Sequence, residues 1–296
     1  MQPAMSENRT NRGTALVPEG EFAFTAADFS KIAALVHGES GIVLHEGKAN
    51  LVYSRLAKRL RSIGLNSFRD YCSLIESDTG IDERQAMIAA MTTNVTRFFR
   101  EPHHFDYLKA KLLPALTADA RAGERIRIWS AGCSSGEEPY SIALTLLNAM
   151  PNIAEYDVLI LATDIDPNMV AHGREGVYGA SQSSNIPPDL RAKWTISGGR
   201  NDGIRMAPAV RSLVRFNELN LLGAWPMKGV FRIIFCRNVM IYFDEDTQNR
   251  IWNRFSEHLE PNGTLFIGHS ERVPMDQHPF DLAGQTTYRK KSRVRS

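Results

Sequence analysis

The sequence predicts an all-helical N-terminal domain followed by an α/β domain with a Rossmann-like, largely parallel sheet. From residue 22 to about residue 92 the chain shows helical periodicity and no strand pattern, whereas from about residue 126 short apolar strands alternate with helices. Short, nearly all-apolar strands between helices are typical of a parallel sheet that is covered on both faces. The 296 residues are enough to bury one large core or two smaller ones.

The N-terminal domain is predicted to contain four helices. Glycines that follow apolar-periodic runs favour helix ends at Gly41, Gly64 and Gly80, and the carboxylates of Asp28 and Asp82 suit helix starts. The predicted helices are Ala26–His37, Lys48–Ile63, Ser67–Glu76 and Asp82–Ala90.

In the α/β domain the sequence predicts six strands and three helices. The strands are Ile126–Ser130, Val158–Thr163, Leu213–Asn217, Phe231–Cys236, Thr264–Gly268 and Thr286–Arg289. The helices are Glu137–Asn148, Pro167–Arg174 and Thr247–His258. The short last strand is expected to run antiparallel at the edge of the sheet.

One turn-rich stretch, residues 176–212, interrupts the alternation of strands and helices. Short strands are predicted near Trp194–Ile196 and Ile204–Met206, so the stretch is interpreted as a small inserted β subdomain; a plain long loop is the alternative. Insertions at such positions often carry partner or substrate contacts.

Composition and cysteine usage favour a cytoplasmic globular protein. Hydrophobic residues make up 43% and charged residues 23% of the chain, which is ordinary. No apolar run approaches the roughly 18–20 residues that span a membrane, and the N-terminus lacks a secretory signal. Cys72, Cys133 and Cys236 are too far apart for a disulfide framework or a zinc site, and Cys133 is expected to be a small buried residue. We expect a monomer without a metal site.

These observations define the expected organisation of the chain. The assigned segments are a disordered tail (1–20), the helical domain (21–92), a linker with the first helix of the next domain (93–125), the α/β domain (126–290) and a basic tail (291–296).

The segment from Ile126 to Tyr140 predicts a cofactor site. It consists of a strand, a loop of small residues and a helix start, and a second apolar strand then ends on Asp164. Small residues let the backbone approach a ligand, and an acid at that strand end accepts hydrogen bonds from ribose hydroxyls. The pattern predicts an adenosine-bearing cofactor. Asp166 is placed to cap the helix that starts at Pro167.

The acids Glu137 and Glu138, at the start of the helix after this loop, help to distinguish between cofactors. Two carboxylates there would repel a pyrophosphate and attract a cation. S-adenosylmethionine carries an ammonium and a sulfonium and has no phosphate, so it is favoured over NAD. The alternative is that both acids only complement the helix dipole.

Two further segments carry polar residues suited to a ligand. Residues 92–101 offer Asn94, Thr96 and Arg100, although a structural interface explains this linker equally well. Residues 235–243 follow the fourth predicted strand of the sheet, and ligands bind beyond the carboxyl ends of such strands. This segment lacks the Asn/Asp-Pro-Pro-aromatic run of methyltransferases that modify bases.

A helix with one basic side predicts an acidic partner. From Gly47 to Arg69 there are six bases and no acid. At 100° per residue the bases of helix Lys48–Ile63 fall on one side and its apolar residues on the other. Nucleic acid or an acidic protein helix would fit this basic side, and the alternative is an ordinary solvent-exposed helix face without a partner.

Taken together, these segments make the chain resemble CheR, the bacterial chemotaxis receptor methyltransferase family, over roughly residues 22–290. The resemblance implies a class I S-adenosylmethionine methyltransferase domain with a small inserted β subdomain. It further implies methyl transfer to glutamate side chains of chemoreceptors. The most specific segments are Thr92–Glu101, Trp129–Ser141, Ala162–Asp166, Asn220–Leu221 and Phe235–Phe243.

The resemblance also implies roles for individual residues. The implied cofactor contacts are Asn94, Thr96, Arg100, Ala131, Glu137, Asp164, Asn220, Leu221, Arg237 and Asn238. The implied receptor-binding bases are Arg55, Lys58, Arg59 and Arg61. In some members the β subdomain also binds a peptide at the receptor C-terminus; here the corresponding loop, Ser197–Gly203, is short and polar, which leaves that contact open.

The expected chemistry needs no general base, because a glutamate with a pKa of about 4.3 is already ionised at neutral pH. Arg100 and Tyr242 are therefore expected to orient the substrate rather than to activate it. The competing hypotheses are an RNA methyltransferase, with the basic helix as its footprint, and a non-catalytic S-adenosylmethionine-binding adaptor. With a carboxylate substrate we expect no bound nucleic acid.

Overall fold

The computed structural model describes residues 16–17, 20–198 and 203–292, and the chain divides into two compact units, Met1–Thr92 and Thr93–Ser296. Most of both expected tails, and the middle of the loop Ser197–Gly203, lie outside the described residues. Within the described part, no helix has both the length and the apolar character needed to cross a membrane.

Among the described residues of the first unit the regular elements are helical, and all four predicted helices are confirmed with small shifts at their ends. They are α1 (Ala26–Ser40), α2 (Ala49–Ile63), α3 (Phe68–Glu76) and α4 (Ile81–Met91). Aromatic rings fill much of the core between them; Phe24 and Phe68 have ring centroids 4.4 Å apart, and Tyr53 packs beside both.

A side-chain cap explains where α1 begins, and glycines explain where α1 and α2 end. Thr25 caps α1 and forms a reciprocal capping box with Asp28, which is therefore the third residue of the first turn rather than the cap. Gly41 and Gly64 end α1 and α2 in the left-handed conformation, as predicted, because glycine adopts a positive φ without strain.

The prediction that Gly80 ends the preceding α-helix was wrong, because α3 ends at Glu76 and Ser77 is its C-cap. Gly80 has a φ of −90° and precedes α4, which has no side-chain cap, so Asp82 only lies in the first turn. A Cβ at position 80 would lie 1.9 Å from the carbonyl oxygen of Leu74. Gly80 is the last residue of a short 3-10 turn, Asp78–Gly80, and glycine is required there by the close approach of the backbone.

The second unit is built on a seven-stranded sheet in the order β6-β2-β1-β7-β8-β10-β9, with a separate three-stranded sheet in the order β3-β5-β4. Its strands are β1 (Ile126–Ala131), β2 (Val158–Asp164), β3 (Val177–Tyr178), β4 (Thr195–Ser197), β5 (Ile204–Met206), β6 (Val214–Glu218), β7 (Phe231–Cys236), β8 (Leu259–Ile267), β9 (Phe280–Gly284) and β10 (Thr287–Lys290). Within the run β6-β2-β1-β7-β8, adjacent strands are parallel to each other.

The six predicted strands of the large sheet are confirmed, but its edge differs from the expectation. Strand β10 is antiparallel, as predicted, yet it pairs with both β8 and β9 and so does not form the edge. Strand β9 was missed because only Phe280 of its residues is buried, while Leu282 is 59% exposed. An edge strand with one buried side chain lacks the apolar alternation that predicts strands.

Helices cover both faces of the large sheet, which confirms the predicted α/β class. They are α5 (Pro102–Tyr107), α6 (Leu113–Arg121), α7 (Glu137–Ala149), α8 (Pro167–Glu175), α9 (Ala180–Ser183), α10 (Pro188–Trp194), α11 (Pro208–Ser212) and α12 (Glu245–His258). A π-helical turn, Leu108–Leu112, joins α5 to α6. Helix α7 packs on the face that contains Ile128 and Phe235, and α12 packs on the opposite face around Trp129.

The predicted β subdomain is confirmed between α8 and β6. The antiparallel strands β3, β5 and β4 form it, so the alternative of a plain loop was wrong. The short helices α9 and α10 were not predicted. Pro187 and Pro188 had indicated a turn, but Pro188 takes the first position of α10, where the missing N–H of proline has no cost.

The packing of α8 against β6 gives a stability prediction. A Cβ on Gly173 of α8 would lie 2.3 Å from the ring of Phe216, so Gly173→Ala should destabilise the fold by about 1–3 kcal/mol through overpacking. Gly38 of α1 is also helical but has open space around it, so Gly38→Ala should stabilise the fold by roughly 0.5–1 kcal/mol. Urea unfolding followed by circular dichroism measures both; a stabilising effect of Gly173→Ala would contradict this packing.

Candidate functional site

The carboxyl ends of β2, β1 and β7 lie side by side, because these neighbouring strands are parallel. Three chain segments therefore meet at one edge of the sheet: the loop after β1, the residues after β2 and the residues after β7. Ligands on open α/β sheets bind at this edge. The predicted site residues of the second unit lie on these segments, on residues 94–101 and just after β6.

The loop after β1 turns sharply into α7. Gly132 and Gly136 have φ values of +76° and +99°, and Ser134 has a φ of 49°. The amide groups of Gly132 and Cys133 both donate to the carbonyl of Thr163 at 2.8 and 2.9 Å, which ties the loop to β2. Ala131 and Cys133 are both buried, and burial was expected for Cys133. Their small side chains leave room for this turn.

Two acids, the last residue of β2 and the residue two positions later, connect three segments at the edge. Asp164 is buried and accepts hydrogen bonds from the amides of Ser134 (2.7 Å) and Asp166 (3.0 Å). Burial raises its pKa, and the two amide donors partly oppose that shift. Asp166 caps α8, as predicted, through the amide of Asn168, and also accepts a 2.8 Å hydrogen bond from the Asn94 side chain.

The two acids at the start of α7 have different partners, although the sequence suggested one role for both. Glu137 is 2% exposed and accepts a 2.6 Å hydrogen bond from the Ser135 hydroxyl; burial raises its pKa. Glu138 accepts from Ser130 at 2.7 Å and from Arg237 at 2.9 Å. The charge of Glu138 is therefore matched inside the protein, whereas Glu137 has no ion pair with a lysine or arginine among the described residues.

Residues 94–101, which we call the strap, run across this edge. At its start, the Asn94 side chain donates to Asp166, and the Ser134 hydroxyl donates to the Asn94 carbonyl at 3.0 Å. Near its end, the Phe99 amide donates to the Ser141 hydroxyl of α7 at 2.9 Å. In between, Val95 is 76% exposed and Thr96 is half-buried. The strap is thus attached to the segments after β1 and β2 and to α7.

Arg100 and Arg237 are the two arginines of the predicted site, and their surroundings differ. Arg100 is half-buried, and its Nη1 donates to the carbonyl of Val95 at 2.9 Å. The Arg237 side chain is 2% exposed, and its Nη2 donates to the carbonyl of Arg100 at 2.6 Å. Burial opposes the ionisation of Glu101, but the charge of Arg237 and the contacts of His269 hold the Glu101 pKa below its usual value.

A buried acid that the sequence did not indicate organises the residues after β7. Glu271 accepts hydrogen bonds from the amides of Asn238, Val239 and Met240 at 3.0, 2.8 and 2.8 Å, and from Gly268 at 2.5 Å. It lies 33 residues from Asn238 in sequence, so no local pattern could indicate it.

The Glu271 contacts fix the positions of two predicted site residues. Asn238 adopts a left-handed φ of 60°, and its side-chain Oδ1 is buried without a hydrogen-bond partner among the described residues. Tyr242 follows in a short 3-10 turn, Met240–Tyr242, and is half-buried. An unpaired acceptor therefore lies at the carboxyl end of β7.

Asn220 and Leu221 follow β6, the strand next to β2. The Asn220 Oδ1 accepts a 2.9 Å hydrogen bond from the amide of Leu222. The Leu221 carbonyl accepts from Trp225 at 3.1 Å and from Arg254 at 2.6 Å, and the Arg254 guanidinium lies 3.9 Å from the centre of the Trp225 ring. Side chains from α12 and its neighbourhood thus hold this loop in place.

Glu101, His103 and His104 have possible metal-binding atoms within 4.8 Å of one another. Burial, together with the nearby charge of Arg237, lowers the pKa of His104 to about 2, so its ring is neutral. However, the Arg237 guanidinium lies 3.5 Å from Glu101 Oε2, and its positive charge opposes a cation there. The absence of a metal site therefore stays a prediction.

The bases of α2 do not form the uniform outward face that the helical projection suggested. Arg59 pairs with the buried acid Glu83, and Arg55 donates to the carbonyls of Ala90 and Thr92 at 3.0 and 2.6 Å. These two arginines are half-buried, because they turn inward to donate hydrogen bonds to a buried acid and to carbonyls at the end of α4. Lys58 and Arg61 are exposed.

Comparisons with known proteins agree with this arrangement. Residues 27–92 match the family model described as "CheR methyltransferase, all-alpha domain", and residues 94–289 match "CheR methyltransferase, SAM binding domain". The second match confirms the prediction of S-adenosylmethionine as the cofactor, so the alternative cofactor, NAD, was wrong.

Similar curated proteins cover nearly the whole chain. The probable chemotaxis protein methyltransferase of Rhizobium etli is 51% identical over 260 residues, covering 86% of this chain and 96% of that protein. The chemotaxis protein methyltransferase of Escherichia coli is 42% identical over 269 residues, covering 90% and 91%. The chain therefore belongs to the CheR family of chemotaxis methyltransferases.

Proposed function

We propose that the protein transfers the methyl group of S-adenosylmethionine to glutamate side chains of chemoreceptors, giving methyl esters for sensory adaptation. We further propose that it acts as a monomer in the cytoplasm. Beyond the family match, the observation that supports a carboxylate substrate most is Arg100 on the strap. Its remaining guanidinium N–H groups have no hydrogen bond among the described residues, and arginine binds carboxylates in a two-pronged pair.

The residues at the edge fit S-adenosylmethionine in chemical type. The carboxylates of Glu137 and Asp164 and the unpaired Oδ1 of Asn238 are acceptors, which suit the ammonium and ribose hydroxyl donors of the cofactor. When bound, S-adenosylmethionine supplies a methyl group on a cationic sulfur, which leaves as the neutral sulfur of S-adenosylhomocysteine. We assign Asp164 to the ribose hydroxyls.

The proposed cofactor contacts remain those that the family pattern implied, with one refinement. They are Asn94, Thr96, Arg100, Ala131, Glu137, Asp164, Asn220, Leu221, Arg237 and Asn238. The guanidinium of Arg237 is almost fully buried and bonded to Glu138 and the Arg100 carbonyl, so we assign any contact at this position to its main chain.

The protein residues have to place the substrate carboxylate and exclude water, because this carboxylate is already ionised at neutral pH. We assign this placement to Arg100 and Tyr242. The carboxylate loses its charge as the ester forms, so a strong ion pair to Arg100 in the ground state would slow the transfer. Among the described residues the Arg100 side chain makes one hydrogen bond, to the Val95 carbonyl, so its guanidinium can orient the substrate carboxylate without a buried ion pair.

For the receptor we propose two contact regions. The exposed bases Lys58 and Arg61 of α2 suit an acidic receptor helix, with Arg55 and Arg59 contributing positive potential from half-buried positions. Strand β4 lies at an edge of the small sheet, with Ile196 50% exposed. Such an edge accepts an extended peptide as a further strand, which suits a receptor C-terminal segment.

The chemical class of the product tests the proposal directly. Incubation of the protein with methyl-labelled S-adenosylmethionine and receptor-containing membranes should label the receptor band. Mild alkali should then release the label as volatile methanol, because esters hydrolyse under these conditions and N-methyl groups do not. Alkali-stable label in the receptor, or label in RNA only, would contradict glutamate methylation.

Replacing Arg100 tests its proposed role in orientation. Arg100→Ala should lower kcat/KM for the receptor about 100-fold, because misplaced reactants lose the advantage of a fixed geometry. Arg97→Ala, an exposed arginine on the same strap, is the matched control and should change kcat/KM by less than about 2-fold. Near-normal turnover of Arg100→Ala would show that Arg100 has no such role.

Replacing Asp164 tests its proposed contact with the cofactor. In Asp164→Asn the side-chain NH₂ would face the amide donor of Ser134 or Asp166, so affinity for S-adenosylhomocysteine should fall at least about 10-fold. Asp157→Asn is the control, because Asp157 lies just before the opposite end of β2 and pairs with Arg127. Isothermal titration calorimetry measures both; equal affinities in the two variants would exclude Asp164 as a cofactor contact.

A further inference from the structure

We infer that Arg237 is a positioning residue that holds Arg100 in place by fastening the end of the strap to α7. The inference deepens the proposed function and rests on it for the role of Arg100. In this inference the Arg237 side chain does not contact the cofactor. Its guanidinium affects the reaction only by holding the strap.

Among the described residues, the polar contacts of the Arg237 side chain are with α7 and with the strap. Its Nη1 donates to Glu138 of α7 at 2.9 Å, its Nη2 donates to the Arg100 carbonyl at 2.6 Å, and the same Nη2 lies 3.5 Å from Glu101 Oε2. The side chain is 2% exposed. One buried guanidinium therefore joins a carboxylate on the helix to the main chain and side chain of two consecutive strap residues.

The backbone around Arg100 needs such a fastening. Phe99 and Glu101, the residues on either side of it, have φ values of 53° and 56°. Residues other than glycine rarely adopt this left-handed backbone conformation, which persists only where surrounding contacts enforce it. The Phe99 amide is held by Ser141, and Arg237 holds the Arg100 carbonyl and Glu101. Loss of the Arg237 contacts would let this strained segment relax and displace the Arg100 side chain.

Arginine suits this connection better than lysine does, because its Nη1 and Nη2 each reach a different acceptor. Its planar guanidinium presents donors in two directions at once, whereas the ammonium of lysine is a single point of charge. Lysine at position 237 would keep the charge balance with Glu138, but its shorter side chain with one nitrogen would weaken the hydrogen bond to the Arg100 carbonyl. Arg237→Lys therefore separates the fastening of the strap from the neutralisation of a buried acid.

A double-mutant cycle between positions 237 and 100 tests the inference. Arg237→Lys should lower kcat/KM for methyl transfer at least about 10-fold in the natural chain, but less than about 3-fold in an Arg100→Ala background, because both changes remove one function. Equal losses in the two backgrounds would show that Arg237 acts independently of Arg100 and would overturn the inference. If Arg237→Lys does not fold, Glu138→Gln replaces it in the cycle with the same expectation, since it weakens the hold on Nη1.

Hydrogen exchange of the strap amides provides a readout that needs no methyl transfer. Arg237→Lys should speed the exchange of the amides of residues 97–101 in the full chain, whereas the control Arg232→Lys should not. Arg232 lies at the other end of β7 and pairs with Asp119 and Glu260. Unchanged strap exchange in Arg237→Lys would refute the fastening even if esters form, whereas faster exchange without ester formation would count only against the proposed function.

Discussion

Four buried carboxylates fix the loops at the carboxyl edge of the parallel strands. Asp164 and Asp166 hold the loop after β1, the start of α8 and the strap. Glu138 holds Arg237, and Glu271 collects the amides that follow β7. A buried charge is tolerated only with hydrogen-bond donors around it, so each acid imposes a geometry on the backbone that supplies those donors. The site is therefore shaped before a ligand arrives.

This construction suits a reaction in which the reactants carry the chemistry. The methyl donor is a cationic sulfonium and the proposed acceptor is an ionised carboxylate, so what remains for the protein is placement in a site that excludes water. Rigid loops provide placement, and the strap places Arg100 between two residues in left-handed conformations. A strained backbone persists only where contacts enforce it. Here the contacts come from Arg237, which is bonded to the Arg100 carbonyl and to Glu138.

Much of this arrangement could be predicted from local patterns. The strand-loop-helix segment around Gly132 and the acid at the end of β2 follow from a spacing that is visible within 40 residues. Asp166 was recognisable as a cap because Pro167 follows it. In contrast, Glu271 bonds to amides 31 to 33 residues away, and no local periodicity marks such a partner. Edge strand β9 was not predicted for a related reason: with one buried side chain it shows no alternation of apolar and polar residues.

The α/β class, the helical first unit, the cofactor type and the family could all be predicted from local patterns, because they depend on periodicity, turn residues and ordered motifs. The role of each charge, in contrast, depends on how the chain folds in three dimensions. Glu137 and Glu138 are neighbours in sequence, yet one lies beside Ser135 and the other binds Arg237. Likewise, Arg59 faces the buried Glu83 while Lys58 is exposed. The partner of a charge is set by which distant segments the fold brings within hydrogen-bonding distance, and one-dimensional spacing does not contain that information.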